Sequence, residues 1–142
     1  MIVQLPGHSS SPSESIVDPF VFEEICALGD TLEEGFVAAL FEEFMRETAT
    51  LLVELRSALS EGDASTVRRI AHSLRGSGNQ LGGGRFAASC CRLEELASAG
   101  DLRGGGASLW AVEIEYRHLC LILNQKVLSV VWRPPTARTA IS

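Results

Sequence analysis

The stretch Ala71-His72-Ser73-Leu74-Arg75-Gly76-Ser77-Gly78-Asn79-Gln80-Leu81-Gly82 decides how this chain is read, because it sets one histidine on a helical face kept clear of bulk. At roughly 100° per residue, Val67, Ile70, Ala71, Leu74, Gly78 and Leu81 share one arc of a helix, the stripe expected of a segment packed on a core. His72, Arg75, Gly76 and Asn79 occupy a second arc, centred roughly 130° from the first, so the imidazole is expected to be at least partly exposed. Gly76 costs the helix about 1 kcal/mol relative to Ala and therefore calls for a reason. A steric one suffices: without a side chain at 76, another protein can approach His72 closely. Arg75, three residues on, has the reach to set a guanidinium beside a phosphoryl group.

Working outward, Asp18 and Pro19 supply a cap and a first-turn proline for a short helix through Leu28, ending near Gly29. Asp30 or Thr31 can cap the next helix. There Phe36, Val37, Leu40, Phe41, Phe44, Met45, Leu51, Leu52, Leu55 and Leu59 recur at three and four up to Gly62, which predicts the longest helix of the chain. Its acidic residues, Glu33, Glu34, Glu42, Glu43 and Glu47, fall mostly off the stripe and read as a solvated face rather than a metal site. Asp63 opens the His72 helix and the glycines at 82, 83 and 84 close it. Those glycines are no phosphate-binding loop, because no lysine follows them and no strand precedes them. Phe86, Cys90, Leu93 and Ala97 mark a helix from Arg85 to about Ala99, with Glu94 at the edge of its stripe. The last helix is predicted from about Ala107, after the Gly104-Gly105-Gly106 loop, to Val131. Its stripe is Leu109, Val112, Tyr116, Leu119, Leu123 and Val130, and Arg133-Pro134-Pro135 stops it. His118 lies beside that stripe and reads as packing or surface.

No alternating strand pattern occurs, and the long helices are joined by short turns. The expected fold is all-α, an up-and-down antiparallel four-helix bundle with a short extra N-terminal helix. Residues 1–17, rich in Ser and containing a lone His8 without neighbouring ligands, read as a flexible linker or tail, 18–131 as the bundle, and 132–142 as a C-terminal tail.

Bulk properties narrow the function. The formal net charge of -6, from 12 basic and 18 acidic residues, disfavours nucleic acid and anionic lipid as partners. Cys26, Cys90, Cys91 and Cys120 sit in apolar patterns without paired C-x-x-C spacing and read as reduced core thiols of a cytosolic protein. No apolar run reaches the roughly 20 residues of a membrane span, and the start lacks the basic and apolar regions of a signal peptide. A soluble, cytoplasmic monomer without direct membrane contact is expected.

His72-Ser73-Leu74-Arg75-Gly76-Ser77, followed by Asn79, Leu81, Gly82 and then Cys91-Arg92-Leu93-Glu94, resembles the histidine-containing phosphotransfer (HPt) domain, over a span from about Asp18 to about Val131. That family carries phosphoryl groups between receiver-domain aspartates in multistep two-component signalling, on the same helical bundle. Its usual core reads His-x-Leu-Lys-Gly-Ser; here Arg75 keeps the charge but offers a planar fork instead of a point charge. The resemblance implies that His72 is the phospho-accepting nucleophile and that Arg75 offsets the phosphoryl charge. It also implies that Glu94, at the place where the family often carries Gln or Glu, holds the imidazole from the adjacent helix. A carboxylate accepting Nδ1–H leaves Nε2 free to attack. Arg68, Leu74, Gly76 and Asn79 are expected to serve receiver docking or to support the motif. No cofactor and no metal are expected on this chain; Mg²⁺ belongs to the partner receiver, and no independent turnover follows. The expected setting is the C-terminal module of a hybrid sensor histidine kinase, tethered through it to the inner membrane, with a free shuttle protein as an alternative. A helical interaction module without phosphotransfer is the alternative, and it leaves Gly76 without a reason. An enzyme pairing His72 with Cys91 lacks an orienting third group and an oxyanion-stabilising loop.

Overall fold

A computed structural model describes residues 15–131, except the side chains of Val130 and Val131. Five helices follow one another: α1 Pro19–Gly29, α2 Phe36–Ser60, α3 Ala64–Gln80, α4 Gly84–Ser98 and α5 Gly105–Val131. Among the described residues there is no strand. The four longer helices close a ring of contacts, α2 on α3, α3 on α4, α4 on α5 and α5 back on α2, and α1 leans on α2. This is the expected antiparallel four-helix bundle with a short helix in front.

Local chemistry starts the helices on the His72 side of the ring. The Asp18 carboxylate accepts from Phe20 N at 2.9 Å with Pro19 in the first turn, and Asp63 caps α3 by accepting from Thr66 N at 3.1 Å and from Thr66 Oγ1 at 2.7 Å. The end of α3 is tied to the start of α1. Gly82 takes a left-handed φ of 79°, its carbonyl accepts from Asp18 N at 2.8 Å, and a Cβ there would press on Val21 and Asp18. The core runs through all five helices, with Phe41, Leu55, Val67, Ile70, Leu74, Phe86, Leu93, Val112, Leu119 and Leu123 almost wholly excluded from solvent. Burying each such side chain stabilises the fold by about 1.5–3 kcal/mol.

Several expectations are corrected. Asp30 and Thr31 do not cap α2. They finish α1, Asp30 N donating to Cys26 O and Thr31 Oγ1 to Leu28 O at 2.7 Å, so residues 31–35 turn and α2 starts at Phe36 behind Gly35, whose φ is 86°. Glu33 and Glu34 therefore stand in a turn; Glu42, Glu43 and Glu47 are exposed on α2. The longest helix is α5, with 27 residues against 25 for α2, because it begins inside the glycine triplet. The close approach of Gly105 to Leu59 explains that start: a Cβ at 105 would lie 2.7 Å from Leu59 Cδ1. The core also reaches ahead of Asp18, since Val17 is buried and Ile16 packs against it. Of the four cysteines only Cys90 is a core thiol; Cys26, Cys91 and Cys120 are partly exposed. Burial pushes the Cys90 thiol up to about 12. His8, the rest of residues 1–14 and the tail at 132–142 lie outside the described residues, as does the Val130 side chain.

Candidate functional site

The site lies where α3 packs on α4, the most extensive helix pair in the bundle. Close approach of the two backbones is possible because Gly78 faces α4; a Cβ there would lie 2.8 Å from Phe86 Cδ2. With Val67, Ile70, Ala71 and Leu74 turned into the core, His72 is left on the outer edge of the seam, its side chain 61% exposed.

Across the seam, Glu94 Oε2 lies 2.9 Å from His72 Nδ1, and the carboxylate is only 16% exposed. Arg75 closes the group: its Nε is 3.2 Å from Glu94 Oε1 and its Nη2 is 3.1 Å from His72 Nδ1. Nδ1 cannot serve both neighbours, since Arg75 only donates and an ionised Glu94 only accepts. An unprotonated Nδ1 would set its lone pair against the carboxylate at hydrogen-bond distance. With the proton on Nδ1, the ring donates to Glu94 and Arg75 acts on the pair by charge, and this is the tautomer the 2.9 Å contact favours. His72 Nε2 has no hydrogen-bond partner among the described residues, and its lone pair is free on the exposed side.

The structure thus brings His72, Arg75 and Glu94 together. The Arg75 guanidinium stands on the Nδ1 side of the ring and must swing to meet a group on Nε2. The surface at Gly76 is open, for a Cβ there would meet nothing within 4 Å. Arg68 and Asn79 are exposed one turn before and two turns after His72, and neither reaches the ring. Leu74 is 1% exposed and supports the motif from inside; it cannot dock a partner.

Cys91, weighed in the sequence only as the nucleophile of a rejected enzyme reading, stands beside Arg75 at the edge of this group. Its Sγ lies 3.8 Å from Arg75 Nη1 and 3.9 Å from Glu95 Oε2. It precedes Glu94 by three residues on α4, a helical spacing that could have placed it on the same seam. His118 is partly exposed on α5, 3.7 Å from Glu115 Oε1, and takes no part in the site. Among the described residues no cluster of three or more His, Cys, Asp and Glu could hold a metal ion.

A helical bundle that presents one oriented imidazole, with an open nitrogen and a carboxylate behind the other, is built to accept and return an electrophilic group. The chain belongs to the Hpt domain family, whose model matches residues 39–126, and histidine phosphotransfer is the function of that domain. Histidine-containing phosphotransfer protein B (HptB) from Pseudomonas aeruginosa PAO1 is similar in structure, with a TM-score of 0.72 and 27% identity over 83% of this chain and 97% of that one. Multistep phosphorelay regulator 1 of Schizosaccharomyces pombe is 24% identical over 118 residues, 83% of this chain and 38% of that protein. The chain thus spans well under half the length of that relative.

Proposed function

We propose that His72 is the phosphoryl carrier of this Hpt domain and that it exchanges the group with receiver-domain aspartates. The observation that carries this reading is the 2.9 Å contact between Glu94 Oε2 and Nδ1 of a ring whose side chain is 61% exposed. His72 Nε2 attacks the phosphorus of an aspartyl phosphate; the N–P bond forms as the P–O bond to the aspartate breaks, and the aspartate leaves as a carboxylate. No proton has to move in this step. The ring gains positive charge while keeping Nδ1–H, and Glu94 offsets that charge. Return of the group to a second aspartate reverses the bonds.

Arg75 serves the phosphoryl group by turning from the Nδ1 side, and Gly76 leaves the space into which the partner closes. The chain needs no cofactor of its own, because the divalent cation that neutralises the transferring phosphoryl is held by the receiver. It acts as a monomer in the cytoplasm; among the described residues no helix is long and apolar enough to cross a membrane. Incubation with phosphorylated receiver domains and Mg²⁺ tests the reading: label reaches the wild type and not His72→Gln, and survives alkali but not acid. Label on His72→Gln at the wild-type level would refute it.

A further inference from the structure

Between Ala64 and Leu93 the chain holds five arginines, Arg68, Arg69, Arg75, Arg85 and Arg92, and no Asp or Glu. All 18 acidic residues lie elsewhere, so α3 and the first half of α4 form a basic band on a protein of net charge -6. The five are not equivalent. Arg85 is engaged with Glu115 at 2.9 Å and Arg75 with Glu94 at 3.2 Å, while Arg92 lines the groove between α4 and α5 with Glu95 and Asp101. Arg68 and Arg69 are exposed and form no salt bridge among the described residues. They precede His72 by four and three residues, which puts them one turn away and on either side of its arc.

The same face lacks the other common means of docking. The exposed residues of α3 are Ser65, Arg68, Arg69, His72, Ser73, Gly76, Asn79 and Gln80, and no large hydrophobic side chain of α3 or α4 is exposed. Those that are exposed stand elsewhere: Phe20 and Leu28 on α1, Leu32 in the turn after it, Val53 on α2, and Trp110, Leu121 and Leu128 on α5.

We propose that the His72 face takes its receiver by charge rather than by apolar burial, Arg68 and Arg69 forming a rim that selects receiver domains whose surface around the phosphorylated aspartate is acidic. The proposal rests on the phosphotransfer reading of His72. An aspartyl phosphate is itself anionic, and a pocket that also binds a hard divalent cation needs further carboxylate oxygens, so the face that must meet His72 carries negative charge. A small basic patch on an otherwise acidic protein attracts such a face in one orientation and repels it in the others.

For the test, the full-length chain is loaded at His72 with phosphoramidate, a small donor that needs no docking surface. It is then mixed with two isolated receiver domains, one with an acidic and one with a basic phosphoacceptor face, at low and at high salt, and transfer is read per loaded chain. The wild type is expected to transfer about tenfold or more faster to the acidic receiver at low salt, with the advantage shrinking as salt rises. Arg68→Glu/Arg69→Glu loses the advantage and Arg68→Lys/Arg69→Lys keeps most of it. Equal rates to both receivers, or a charge-reversed variant as fast as wild type, would overturn the proposal. Failure of the wild type to load at His72 would instead overturn the phosphotransfer reading beneath it.

Discussion

Glu94 reaches across from α4 to meet Nδ1 of His72 at 2.9 Å, so the exposed ring is held from a neighbouring helix as well as by Arg75 on its own helix. Removing that carboxylate leaves the ring free to rotate and to place its proton on either nitrogen. Glu94→Ala is expected to slow phosphoryl acceptance by about 10–100-fold, the equivalent of one charge-assisted hydrogen bond. Glu94→Gln, whose amide oxygen still accepts Nδ1–H, should fall between. Single-turnover transfer rates, with circular dichroism to confirm the helices, check both.

Arg75 separates charge from geometry. Its fork meets Glu94, the ring and Cys91 together, whereas a lysine can offer only one point of charge. Arg75→Lys is expected to keep transfer within about tenfold of wild type, and Arg75→Ala to lose more, because the latter alone removes the cation that offsets the phosphoryl group. Transfer rates for the two variants side by side decide the point.

Two glycines a helical step apart should respond to alanine with opposite signs. At Gly76 a Cβ meets nothing, so Gly76→Ala is expected to stabilise the protein by about 1 kcal/mol through helix propensity. At Gly78 the Cβ would sit 2.8 Å from the ring of Phe86, which is itself packed against Phe44 and Tyr116. Gly78→Ala is expected to destabilise by about 1–3 kcal/mol despite the same gain in propensity. Denaturant titrations of the pair measure both.

Stability should fall in alkali. The Cys90 thiol is raised from 9.0 to about 12 in the folded protein, chiefly by burial, and burial likewise raises Tyr116 and Cys120. Between about pH 9 and 12 the unfolded chain releases the Cys90 proton while the folded chain keeps it, so the unfolded state binds fewer protons and unfolding becomes easier as pH rises. Cys90→Ala should flatten that decline, even though the cavity it opens lowers stability at neutral pH. Thermal melts of both proteins at pH 7 and about pH 10 show whether the slopes differ.

Much of this was legible in the sequence, for physical reasons that differ from residue to residue. The apolar stripes of α3, α4 and α5 recur at helical spacing, and Asp63 is a cap whose partner, Thr66, is local, so these elements follow from nearby residues alone. The start of α2 was not readable: Asp30 and Thr31 are good capping types, and nothing nearby says that they bond backward into α1. Nor was the start of α5, where three glycines oppose a helix and the contact of Gly105 with Leu59 on α2 decides it. At the site, the exposure of His72 came from periodicity, but its pairing with Glu94 came only from family resemblance, since helical spacing says nothing about a neighbour on another helix. The place of Arg75 on the Nδ1 side, and of Cys91 beside it, depends on how two helices set their side chains against each other.

If His72 is the phosphoryl carrier, its Nε2 holds the group while Glu94 keeps the proton on Nδ1. Nitrogen-15 and phosphorus-31 NMR of the phosphorylated, nitrogen-15-labelled protein reads it directly. Phosphorus coupled to Nε2 of His72, with Nδ1 protonated, is the expected result. Phosphorus on Nδ1, or on any residue other than His72, would contradict it.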